Sequence, residues 1–145
     1  MNNIIDTIKT TSQIAVPRAY IIACTCQIET MSKEIVFEIV QKDSCPRLFT
    51  FLEKKRFIGD LNFKWKEKAF EKFTKQFGDE LYKTLIIELR KQSLDINRIN
   101  NAFETLGSNR NYVAHENGNL SLTIEEIEDN FKICYESMQI FKKCL

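Results

Sequence analysis

The chain has a single histidine, His115, and an arginine stands five residues before it in Arg110-Asn111-Tyr112-Val113-Ala114-His115. Imidazole takes and returns a proton near neutral pH. A guanidinium is permanently charged and clamps a phosphate through paired hydrogen bonds. Asn111 lies four residues before His115, the helical spacing at which an amide can orient an imidazole. Such a set suits cleavage of RNA without a metal. His115 takes the proton of a 2′-hydroxyl, that oxygen attacks the adjacent phosphorus, and Arg110 stabilises the charge that develops. DNA has no 2′-hydroxyl and is inert by this route. The sequence around the pair has no carboxylate cluster suited to magnesium, so neither a metal nor another cofactor is expected. Taken alone, the spacing also fits a surface or helix-capping histidine.

The element that carries the pair sharpens the reading. Ile96, Ile99, Phe103 and Leu106 recur every three or four residues behind Asp95, a residue type that caps helices. The next positions on that apolar seam are 110 and 113. Val113 fits, but Arg110 does not, because burying an unpaired guanidinium is costly. Arg110 therefore reaches past the helix end or is kept for a task. On a straight helix, five residues give about 140° of rotation and about 7.5 Å of rise, so Arg110 and His115 are not neighbours on one helix. Either the helix ends or bends near His115, or a second copy supplies the partner groups across a two-fold axis.

The same periodicity predicts helices nearly everywhere else. One opens at Pro17 and runs to about Gln41, with Ile21, Thr25, Ile28, Met31, Ile35 and Ile39 on one face. Asp43-Ser44-Cys45-Pro46 breaks it, and a short apolar piece follows from Leu48 to Phe57, ending near Gly59. Trp65, Ala69, Phe73 and Phe77 make a further seam stopped by Gly78. Asp79 is expected to cap the next helix, which carries Leu81, Leu85 and Leu89. Asn117-Gly118-Asn119 reads as a helix end. Thr123 with Glu126 forms a capping box ahead of a stripe from Ile124 through Ile127, Phe131, Cys134, Met138 and Phe141 to Leu145. That stripe is a core face in preference to a dimer seam.

At 145 residues the chain has the length of one domain, and a single all-α domain of four or five helices over residues 1–145 is expected. Four glycines and two prolines are too few for a turn-rich sandwich or barrel, and a net charge of +1 excludes a histone-like basic coat. Charge is uneven: 54–91 holds eleven basic and six acidic residues, 111–145 three basic and six acidic. The basic middle is a candidate phosphate-facing surface; on charge alone, a solvated helix face with intrahelical pairs is preferred. Met1 to Thr10 lacks a secretory pattern, and the longest apolar stretch, around Ala19–Cys24, falls far short of a bilayer span. The five cysteines are odd in number and not spaced as a disulfide framework. Cys24 and Cys26 would face different sides of a helix. Free thiols in a reducing cytoplasm, with no membrane association, are the expectation.

The segment Arg110-Asn111-Tyr112-Val113-Ala114-His115 resembles the Arg-x4–6-His motif of HEPN domains, in which a polar residue, often Asn, follows the arginine. The resemblance runs from about Pro17 to Leu145: Arg18-Ala19-Tyr20-Ile21-Ile22-Ala23-Cys24 with Glu29 downstream is similar to the family's first long helix. The nearest flavour is the stand-alone, ribonuclease-like HEPN protein of prokaryotic toxin and defence loci. The resemblance implies an all-α bundle that forms a homodimer, with two motifs meeting in one composite RNase site. It also implies cleavage of RNA without metal to a 2′,3′-cyclic phosphate, and a role as toxin or antiviral effector with a possible cognate antitoxin or defence-system partner. By residue, Arg110 and His115 would be catalytic and Asn111 supporting, while Tyr112 and Ala114 inherit no role. HEPN toxins paired with a minimal nucleotidyltransferase often have Tyr two residues after the His; Asn117 stands there, so that pairing is not implied.

Glu29, beside Ile28, is either a partner for Arg110 or His115, and then a supporting residue, or an exposed helix glutamate. Trp65, among lysines, is either a base-stacking platform or a core residue over the bundle end. Glu116 either tunes His115 or faces solvent. Two other functions remain open: a non-catalytic HEPN module that binds nucleotide or RNA and regulates a partner protein, and a structural adaptor using the Ile124–Leu145 stripe.

Overall fold

A computed structural model describes residues 2–42, 63–115 and 120–145. All regular structure among them is helical, in five helices: α1 (Asn2–Lys42), α2 (Ala69–Lys75), α3 (Asp79–Lys91), α4 (Ile96–His115) and α5 (Ile124–Cys144). α1, α4 and α5 pack on one another, α2 lies on α4, α3 lies on α5, and α2 touches α3. This is the all-α bundle that the periodicity predicts. Among the described residues no helix is long and apolar enough to cross a membrane.

The core is built from the predicted seams. Ile21, Ile28 and Ile35 of α1 meet Ile99, Phe103 and Leu106 of α4 and Ile127, Met138 and Phe141 of α5, all fully buried. Each such side chain contributes about 1.5–3 kcal/mol. Buried Thr25 remains satisfied because its hydroxyl donates to the Ile21 carbonyl at 2.9 Å. The α5 stripe is core, as preferred: Ile127, Cys134, Met138 and Phe141 are buried, and Ile124 alone lies at the exposed end. Thr123 and Glu126 close the predicted capping box, and Asp95 Oδ1 accepts from the backbone N–H groups of Asn97 and Arg98.

Three expectations are corrected. α1 does not open at Pro17 but runs through it from Asn2. Proline removes one helical donor, and the carbonyl it leaves, on Gln13, lies in a stretch of exposed side chains where water can replace it. Asp79 is not a cap: Gly78 holds that position at φ 103, and Asp79 and Glu80 sit in the first turn, where carboxylates favour the helix dipole. The seam from Trp65 to Phe77 is not one helix. Lys68 is left-handed, with φ 55 and ψ 40, so α2 starts only at Ala69; Trp65 precedes it in irregular chain and Phe77 follows it. The Leu48–Phe57 piece, Cys45, Glu116 and the Asn117–Asn119 helix end lie outside the described residues.

Candidate functional site

α4 buries Ile99, Phe103 and Leu106 and brings the next seam position, Arg110, to the rim of the core, where its side chain is 32% exposed. One guanidinium nitrogen, Nη1, donates to Asn111 Oδ1 at 3.1 Å. The other, Nη2, lies 3.7 Å from Glu29 Oε1 on α1, an ion pair too long for a hydrogen bond. Glu29 follows fully buried Ile28 on α1, which turns its carboxylate to the edge of the α1–α4 interface.

The same Glu29 oxygen accepts from Trp65 Nε1 at 2.8 Å. The indole packs on Phe63 and Phe103, with ring centroids 5.1 and 5.9 Å away, and lies directly against Gly107, where an added Cβ would stand 2.4 Å from Trp65 Cβ. Glycine at 107 thus lets Trp65 sit one turn ahead of Arg110 and hold the carboxylate that faces it. Glu29, Arg110 and Asn111 form one side of a cleft of about 300 Å³, and Phe63 to Lys66 form the other.

Of the predicted site residues, the fold brings together Arg110, Asn111 and Glu29. His115 is the last residue of α4, so its backbone follows Arg110 in helical geometry, about 140° around the axis; its side chain lies outside the described set. Trp65 combines two roles, a core contact and a tether for Glu29, of which sequence reasoning saw only the first. The available signal was a lone indole: its N–H, when half-buried, needs an acceptor. Among the described residues, no group of three or more His, Cys, Asp or Glu side chains is placed to hold a metal ion.

A helical bundle whose fourth helix ends in Arg-x4-His has the organisation of a HEPN domain. The RiboL-PSP-HEPN family model matches residues 1–145, and the chain belongs to that family. No curated protein and no solved structure matches the chain. Membership in a HEPN family points to a nuclease or RNA-binding role.

Proposed function

We propose that the protein is a metal-independent endoribonuclease that works as a homodimer in the cytoplasm, as a toxin or defence effector held in check by an antitoxin or a defence-system partner. The observation that carries this reading is Arg110 on the rim of an open cleft, five residues before His115 on one helix. His115 takes the 2′-hydroxyl proton and later protonates the leaving 5′-oxygen, directly or through water. Arg110 neutralises the developing charge on the phosphoryl oxygens. Attack by the 2′-oxygen and loss of the 5′-oxygen leave a 2′,3′-cyclic phosphate. Asn111 and Glu29 hold the guanidinium in place. The helical spacing of the pair favours a composite site in which two copies contribute. Exposure of Asn111, Tyr112 and Ala114 leaves this face of α4 open to a second copy.

The test is RNA cleavage in EDTA by wild type, Arg110→Ala and His115→Ala. Loss of a general base costs about 10²–10⁴-fold, and DNA should remain uncut. Equal activity in all three proteins overturns the reading. Partial neutralisation of Arg110 by Glu29 favours one alternative, a non-catalytic module that binds RNA and regulates a partner protein. That module would bind RNA without turnover and tolerate His115→Ala.

A further inference from the structure

Among the described basic residues of the middle segment, some pair with carboxylates, while Lys64, Lys66, Lys68, Lys72 and Arg90 have no described carboxylate within ion-pair distance. Lys75 and Lys83 pair with carboxylates on their own helices at 2.6 and 2.7 Å, and Lys91 pairs with Glu88 at 2.6 Å. Of the unpaired, exposed cations, Lys64 and Lys66 are the two that line the Arg110 cleft. Their placement is fixed by the backbone. The Lys66 N–H donates to the Lys64 carbonyl at 2.7 Å, closing a three-residue turn centred on Trp65. Phe63 is buried and Trp65 is tethered to Glu29, so the turn is held from inside and displays its two lysines outward. The cleft lining carries three cations, Lys64, Lys66 and Arg110, against one carboxylate, Glu29. Its volume of about 300 Å³ is at the small end for ligand sites, which suits one nucleotide.

We propose that Lys64 and Lys66 bind the phosphate that flanks the scissile one, so that the cleft seats the nucleotide next to the cut in a single-stranded RNA. This rests on the ribonuclease reading only for which phosphate is cut; the phosphate site itself needs no turnover. A substrate with one phosphodiester would reach Arg110 but leave the lysines unused, and a longer strand would engage both.

The experiment compares randomised RNA dinucleotides and pentanucleotides as substrates for wild type and the Lys64→Ala/Lys66→Ala double variant. Wild type should prefer the pentanucleotides in kcat/KM, and the variant should lose at least about tenfold of that preference. Lys64→Arg/Lys66→Arg should restore it. Binding of a labelled pentanucleotide across a salt series gives an independent reading. The slope of log affinity against log salt should become shallower in the double variant, by about 0.7 for each phosphate that the lysines no longer neutralise. A wild type without length preference, or a variant that loses activity equally on both lengths, overturns the proposal. If wild type cuts neither RNA, the ribonuclease reading fails, and the binding series decides alone: a shallower slope supports the phosphate site and an unchanged slope overturns it.

Discussion

Arg110 is tolerated on an apolar seam because it arrives at the edge of the core with Glu29 and Asn111 beside it. Its oddity is visible in the sequence as a charge at a seam position. Glu29 can be named from the sequence as a candidate partner, but the choice between that role and an exposed glutamate cannot be made there, since nothing local connects Glu29 to Trp65, 36 residues away, or to α4. Gly107 is the residue on which that arrangement turns. Mid-helix, Gly→Ala normally gains up to about 1 kcal/mol. Here the new methyl would meet Trp65 Cβ at 2.4 Å, too close for a side-chain rotation to relieve, and overpacking of this kind costs about 1–3 kcal/mol. Gly107→Ala should therefore be destabilised in denaturant titration, with a shifted tryptophan emission. An unchanged or raised midpoint would mean that Trp65 is not pressed against α4.

At the scale of the element, α2 is the helix least able to form alone. It has seven residues, and Lys68 at its N-cap makes no side-chain cap bond. The missing acceptor comes from another helix: Asn100 of α4, 5% exposed, accepts the Glu71 N–H through Oδ1 at 3.2 Å. Asn100→Ala should lose about 1 kcal/mol by taking the acceptor from that half-buried donor. Lys68→Gly should gain about 1 kcal/mol by removing the left-handed penalty. Both are read by thermal or chemical unfolding. The contrast with α5 is instructive, since Thr123 and Glu126 cap their own helix and are recognisable from the sequence. A cap supplied by tertiary packing leaves no such local pattern. Pro17 misleads for a related reason: it marks a helix start only when nothing helical precedes it, and α1 is already formed from Asn2.

Across the whole molecule, α1, α4 and α5 share one interior, and two thiols lie where α1 and α5 meet. Burial raises the pKa of Cys24, and raises that of Cys134 well above the ordinary thiol value. The unfolded chain ionises these thiols first, near pH 8.5. Stability is thus fully present below that range and falls as pH rises through it toward the folded-state values. Unfolding midpoints at about pH 7 and pH 10 should differ in that direction. In the native protein, a thiol reagent should modify exposed Cys26 before Cys24 or Cys134; equal rates would contradict their burial.

Helical class, most seams, the caps at Asp95 and Thr123 and the anomaly of Arg110 follow from the sequence alone, because helix periodicity and capping act between residues three or four apart. The tertiary structure decided which carboxylate faces Arg110, why a glycine precedes it by one turn, how α2 is capped and which lysines are left to face the cleft. Those outcomes are set by side chains from different helices meeting at the α1–α4 edge, and a meeting of that kind has no period along the chain.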